Sequence, residues 1–267
     1  RDSSTSRGLG DVYKRQGQEK LTAYVFILQN CAANLGGMLT PFGNPQNLYL
    51  FDHYHIPVGE FLSIMLLPFA LSTGLILLCC LLIPRQVLAV PQRELTLDKP
   101  RAIAYGLLFC LAVGMVLRAV PYPVGLAVIA AALAVMDPRA LKSVDWGLLV
   151  TFAAFFVFSG NMARIQPVRE LFGRLLAHGV LPVSALTCQV ISNVPAAILL
   201  SQFTDCFREL LIGVNIGGAG TLIASLASLI TFREYTRRCP EQTGRFLGLF
   251  TLVSFGFLAI LLAALSL

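Results

Sequence analysis

No charged residue lies between Glu60 and Arg85, between Arg118 and Asp137, between Asp145 and Arg164, or after Arg245. Uncharged runs of this kind reach or approach the roughly 20 residues that a helix needs to cross a hydrocarbon core about 30 Å thick. Inside lipid, every backbone N–H and C=O must be paired within the protein, which favours helices for such runs. Composition agrees: 56% of residues are apolar and 13% are charged, about half the charged share of a soluble domain. The chain reads as an all-α membrane protein.

Residues Arg1 to Gln16 stand apart. They are polar, begin without Met, and have neither the apolar middle of a signal peptide nor the pattern of a transit helix. Asp11-Val-Tyr-Lys-Arg-Gln16 reads as the translated end of a sequencing adapter. Residues 1–16 are therefore set aside as a non-native or disordered leader, with native sequence expected from about Gly17 and an N-terminally incomplete chain.

Hydropathy then predicts a series of elements. A helix over Lys20–Ala33 runs into Asn34-Leu-Gly-Gly37 and Thr40-Pro-Phe-Gly-Asn-Pro-Gln-Asn47. Spans follow at Val58–Ile83, Arg101–Arg118, Tyr122–Met136 and Asp145–Met162, with a polar connection over 85–100. From Pro167 to His178, leucines at helical spacing beside Arg169 and Arg174 predict an amphipathic helix at the interface. In the apolar stretch 180–203, Ser192-Asn-Val-Pro195 would break a helical ladder, so a re-entrant hairpin with its tip at Ser192–Pro195 is expected. A broken helix over 209–232 and a last span over Arg245–Leu267 complete the chain.

The basic residues fix an orientation. With the hairpin returning to its own side, Arg85, Arg93, Lys99, Arg101, Arg139, Lys142, Arg233, Arg237, Arg238 and Arg245 share one face. The opposite face holds Arg118, Arg164, Arg169, Arg174 and Arg208. The positive-inside rule makes the first face cytoplasmic and the C-terminus external. The net charge of +6 thus orients spans; no basic stripe interleaved with aromatics suggests nucleic acid. The seven cysteines include no Cys-x-x-Cys and read as small buried hydrophobes. His53 and His55 flank Tyr54 in an external loop, where solvated side chains are a commoner outcome than a metal site.

An internal repeat gives the sequence its functional content. At an offset of 181 positions, Asn34 faces Asn215, Gly36-Gly37 faces Gly217-Gly218, Thr40 faces Thr221, and Asn44 faces Ser225. Four spans and one non-crossing hairpin separate the copies, so they run in opposite directions, as in many secondary transporters. Paired glycines permit unwinding inside the bilayer and free carbonyl oxygens for a cation. Asn and Thr add neutral oxygens at lower desolvation cost than a carboxylate. Each resuming helix points its positive N-terminal end inward, which favours an anion. Gly-Gly alone more often marks close helix packing, and Asn-Pro-Gln-Asn alone an interfacial turn. Their joint occurrence in two copies favours a site.

No Asp, Glu, Lys or Arg lies in the middle of a span. Proton-coupled carriers commonly use an intramembrane carboxylate, so this pattern favours Na⁺ coupling through neutral oxygens.

Asn34-Leu-Gly-Gly…Thr-Pro-Phe-Gly-Asn-Pro-Gln-Asn47, Ser192-Asn-Val-Pro-Ala196 and Asn215-Ile-Gly-Gly…Ser225-Leu-Ala resemble the ion transporter superfamily. That group includes divalent anion–sodium symporters, citrate-type permeases and arsenite permeases; the resemblance is nearest the bacterial anion-permease branch. It covers essentially everything after residue 17. It implies a homodimer in the bacterial inner membrane, inverted repeats, two re-entrant hairpins and elevator-type movement. On this chain it implies substrate contacts at Asn44, Ser192, Asn193 and Ser225. It implies cation contacts at Gly37, Thr40, Gly43, Asn44, Asn193, Gly218, Thr221 and Ser225. Two positions depart: Val194 stands where the family has a hydroxyl residue, and Leu222 stands where the first copy has Pro41. Residues 17–84 would end the first repeat, 85–100 would be a cytoplasmic connection, and 101–267 would form the second repeat.

The leading expectation is a carrier of a small anion driven by Na⁺, with no other cofactor and with membrane lipid as its surroundings. Alternatives are efflux of a metalloid oxyanion or cation–proton antiport within the same superfamily, and a passive channel lined by the broken helices. An intramembrane enzyme is least expected: the sequence has no His-Glu-x-x-His, no Gly-x-Ser-x-Gly and no embedded Asp pair.

Overall fold

The computed structural model describes residues 19–83 and 98–266, and among these every regular element is helical. The leader assigned to 1–16, and Arg85 and Arg93 with most of the 85–100 connection, lie outside the described residues.

Helix α1 (Glu19–Gly36) extends three residues past the expected Ala33, because Asn34, Leu35 and Gly36 keep helical geometry. The chain unwinds through a 3₁₀ turn, Gly37–Leu39, to an extended Thr40 (φ −117°, ψ 148°). Pro41 accounts for this, since a residue before proline is pushed out of the helical region. Pro45 repeats the effect on Asn44 (φ −138°, ψ 148°) and then sits at the first position of α2 (Pro45–His53). Helix α3 (Val58–Leu81) follows a short turn.

Two compact units divide the chain, one comprising residues 91–154 and the other the remainder. In the smaller unit, α4 (Lys99–Val116) packs against α5 (Tyr122–Met136), and α5 against a short α6 (Pro138–Lys142) absent from the hydropathy reading. Asp137 caps α6 by accepting the Ala140 N–H at 3.3 Å, and it accepts the Tyr105 hydroxyl at 3.0 Å. These bonds, the Tyr105 one foremost, hold its carboxyl below the usual range. Ile103, Leu107 and Phe109 of α4 are all more than 60% exposed, as expected of a helix whose surroundings are lipid.

Helix α7 (Trp146–Met162) runs from the smaller unit into the larger one. It meets α8 (Gln166–Leu176) at a 95° bend. On α8, Leu176 is buried while Arg169 and Arg174 are exposed. The chain then breaks again at Ser192, between α9 (Val180–Ile191) and α10 (Asn193–Leu200), which pack against each other. At 12 and 8 residues, these helices are about 18 and 12 Å long, and neither could cross a bilayer. Ser192 adopts φ 73°, ψ 156°, a conformation that a non-glycine residue holds only under tertiary constraint.

The second broken helix comprises α11 (Phe207–Ile216), a 3₁₀ turn at Leu222–Ala224, and α12 (Leu226–Arg238). It is longer at both ends than the expected 209–232. Beyond Phe232 the sequence turns polar, so hydropathy stops, yet the helix continues. Buried Tyr235 and the 2.8 Å Arg238–Glu234 ion pair support that last stretch. A second 3₁₀ turn, Pro240–Gln242, leads into α13 (Thr243–Leu265). By length and apolarity, α3, α4 and α13 with its turn each qualify as membrane spans among the described residues, and the bent α7–α8 pair qualifies as a fourth if taken as one.

The larger unit is built crosswise. Helix α1 packs on α3, α12 and α13, whereas α2 packs on α10 and α11. Phe26 of α1 meets Tyr235 of α12 edge-on at 5.8 Å, and Tyr235 stacks on Phe246 of α13 at 4.1 Å. In lipid such close packing, more than removal from water, holds helices together.

Candidate functional site

Asn44 and Ser225, paired by the 181-residue offset, occupy the same structural role. Each is the residue from which a helix resumes, with extended backbone at φ −138°, ψ 148° and φ −149°, ψ 153°. Ser225 caps α12 by accepting the Ser228 N–H at 3.1 Å and exchanges a 2.8 Å bond with the Ser228 hydroxyl. Asn44 does not cap α2. Its amide donates backward to the Asn34 carbonyl at 3.1 Å and across to Asn215 Oδ1 at 3.4 Å. The first unwound loop is tight: a Cβ on Gly37 would meet Asn44 Oδ1, and one on Gly43 would meet the Gly37 carbonyl and lie 2.9 Å from Thr40 Oγ1.

Each loop is held by one amide side chain. In the first, Asn47 Nδ2 of α2 donates toward the carbonyls of Gly37, Met38 and Thr40 at 3.4, 3.1 and 3.2 Å. In the second, Gln189 Nε2 of α9 donates toward those of Gly217 and Ala219 at 2.8 and 3.2 Å, and toward Ala185 of its own helix at 2.9 Å. Gln189 also accepts the Thr221 N–H at 2.8 Å through its side chain, and its own carbonyl accepts the Thr221 hydroxyl at 3.0 Å. Gly220 (φ 130°) leaves the space that the Gln189 amide fills.

The two broken helices and the 192 break converge at Gly218. A Cβ there would lie 3.1 Å from Asn193 Nδ2, 3.2 Å from the Asn215 carbonyl and 3.8 Å from Asn34 Oδ1. Asn193, Asn34 and Asn215 are all buried, which makes this an uncharged polar centre lined by the Asn193 amide and two oxygen acceptors. Ser192 donates to the Ala224 carbonyl at 3.3 Å, beside Ser225. The Asn193 side-chain oxygen accepts the Val194 N–H at 2.9 Å, which leaves its amide directed at Gly218.

Buried amides also join the two broken helices crosswise. Asn215 Nδ2 donates to Asn47 Oδ1 at 2.6 Å, and its oxygen accepts Gln46 Nε2 at 3.2 Å. Asn34 donates to Asn30 at 3.3 Å, and Asn30 donates to Ser228 at 3.2 Å. Each helix before its break thus reaches the helix resuming after the other break.

Of the residues expected from sequence, Gly37, Thr40, Gly43 and Asn44 form the first loop; Asn193 and Gly218 meet at the centre; and Ser192 adjoins Ala224 and Ser225. Thr40 and Thr221 each bond within their own surroundings, Thr221 to Gln189. Sequence reading did not assign Asn30, Gln46, Asn47, Gln189 or Ser228. Asn47 closed the motif that was quoted, and a polar Gln189 inside an apolar stretch was the available signal for the second holder.

Among described residues, no group of three or more His, Cys, Asp or Glu side chains is arranged to hold a metal. The centre is instead uncharged and lies where helices break.

Comparison with known families supplies the class. The model of the citrate transporter family matches residues 11–204, more than half the chain, and the protein belongs to that family. It is a multi-pass membrane protein of a transporter family. It is 35% identical over 243 residues to Uncharacterized transporter MJ0456 of Methanocaldococcus jannaschii, covering 90% of this chain and 65% of that one. It is 32% identical over 217 residues to Inner membrane protein YbiR of Escherichia coli, covering 78% of this chain and 58% of that one. The chain therefore spans less than two thirds of the length of each of these curated relatives.

Proposed function

We propose that this chain forms most of the transport site of a secondary active carrier for a small anion, coupled to Na⁺ by symport. The carrying observation is the buried centre at Gly218. There Asn193 supplies an amide donor, Asn34 a side-chain oxygen and Asn215 a backbone carbonyl, with no ionisable group among them. The Asn193 amide, with the N-terminal ends of α2 and α12 close by, suits an anion. Side-chain oxygens of Asn34 and Ser225, with backbone carbonyls of the unwound loops, suit a small cation without a buried carboxylate's desolvation cost.

The family's name points to a carboxylate such as citrate as the anion. The two broken helices, with their matching Asn44 and Ser225 geometry, are the cores of inverted repeats. The protein acts as a homodimer by elevator-type alternating access in a bacterial inner membrane, with its C-terminus outside. Val194 supports a second reading: with no hydroxyl at position 194, a metalloid oxyanion is an alternative cargo.

Uptake by the full-length protein in vesicles tests both readings. Citrate should accumulate more with an imposed Na⁺ gradient than with K⁺; equal accumulation ends the Na⁺-coupling claim. Transport of arsenite or antimonite, with no carboxylate transport, would move the assignment to the second reading.

A further inference from the structure

An amide NH₂ has two hydrogens, yet Asn47 Nδ2 and Gln189 Nε2 each face three carbonyl oxygens within 3.4 Å. Three neutral oxygens converging on one electropositive centre is the donor arrangement of a small-cation site, and the positive end of an amide dipole stands at its focus. The arrangement occurs once at each unwound loop, the second being made by two loop carbonyls and the Ala185 carbonyl of α9. In both, the amide oxygen is also engaged, by Asn215 in one case and by the Thr221 N–H in the other. Each amide is thereby fixed in orientation. Asn47 is fully buried, which shields its amide from water.

We propose that Asn47 and Gln189 are positioning residues whose amide nitrogens stand in for a bound cation, each holding one unwound loop in shape whether or not the transported ions are present. Without such a centre, converging carbonyl dipoles repel and a loop inside lipid loses its partners. The loops would then close or rewind between transport cycles. The coupling ion would bind beside these cradles, toward Gly218, rather than within them. The inference shares a location with the carrier reading and does not depend on the identity of the cargo or on Na⁺ coupling.

The test is the thermal stability of the purified full-length protein in detergent, without substrate, in choline, Na⁺ and K⁺ chlorides at matched ionic strength. Asn47→Ala and Gln189→Ala should melt several degrees below wild type in choline. Na⁺ or K⁺ should recover much of that loss, because the vacated cradle admits a cation. Asn47→Leu, which fills the space with methyl groups, should melt low in every salt. Gln189→Glu should be the most cation-dependent variant, since its second carboxylate oxygen would face the three carbonyls unless a cation lay between them.

The proposal is overturned if Na⁺ and K⁺ raise the alanine variants no more than they raise wild type, or if Asn47→Leu recovers as Asn47→Ala does. Failure of both alanine variants to fold in every salt overturns it too. Loss of Na⁺-driven uptake in wild type, by contrast, would sink the symport reading and leave this result unchanged.

Discussion

The two broken helices unwind over matching positions but are held by different parts of the chain. The first loop, 37–44, is secured by Asn47, on the helix that resumes only a few residues later. The second, 217–225, is secured by Gln189, on α9 and some thirty residues upstream. Their glycines differ accordingly. The first loop is drawn tight at Gly43 against Gly37, whereas the paired position in the second is Ala224, and close approach falls instead on Gly220 against Gln189. The first loop is thus a local structure within its own broken helix. The second is shaped by α9.

The comparison would break most visibly at the glycines. Gly43→Ala puts a Cβ against the Gly37 backbone, and a cost of about 2–4 kcal/mol is expected. Gly36→Ala, with nothing within 4 Å of its added Cβ, should be nearly silent in the same melting experiment. Similar losses at both positions would show that the first loop is not drawn tight. Gly220→Ala combines positive φ with displacement of the Gln189 amide, and should disturb the second loop alone. Hydrogen exchange should rise over 217–225 and stay unchanged over 37–44.

Asn215→Leu sharpens the crosswise joint between the two helices. It leaves Asn47 Oδ1 and Gln46 Nε2 without their partner, a loss of about 1–3 kcal/mol. Because Asn47 holds the first loop, exchange there should increase although the substitution lies in the second helix. Protection unchanged at 37–44 would separate the two loops.

Glu209 tests the tie between α11 and α9. Its carboxylate accepts the N–H groups of Val180 and Leu181 at 3.2 and 3.3 Å, at the start of α9. Glu209→Ala should cost ~1 kcal/mol. The loss should shrink in high salt, as charge at a helix N-terminus is screened. The smallest effect belongs to the 2.6 Å Arg208–Glu60 pair, whose arginine is 66% exposed. A double-mutant cycle should return less than ~1 kcal/mol of coupling, and a larger value would make this pair a principal tie between α3 and α11.

Much of this architecture was legible because membrane helices advertise themselves by hydropathy and because proline and glycine punctuate them. Pro41, Pro45 and the Gly36-Gly37 pair marked the first break to within a few residues, and Ser192-Asn-Val-Pro195 marked another. Where polarity and helicity part company the reading fell short: α12 continues to Arg238 and α6 forms in a charged turn. Of the site, the sequence supplied the residues with a repeat partner, Asn44 with Ser225 and Gly37 with Gly218, together with Ser192 and Asn193 at the break that Pro195 marks. It did not supply Gln189, which has no partner at the offset and acts from a different element. Nor did it supply Asn30, whose amide matters through its distance from Ser228.

The sequence by itself determined that this chain is a membrane-embedded helical protein and where its helices must unwind, because those outcomes follow from local backbone chemistry in lipid. Only the tertiary structure decided which side chain holds each loop open, and that Asn34, Asn193 and Gly218 share one centre. Those outcomes depend on how α1, α10 and α11 pack against one another. Apart from the local Asn47 bonds, hydrogen-bond partners that lie 28 to 198 residues apart leave no spacing to read.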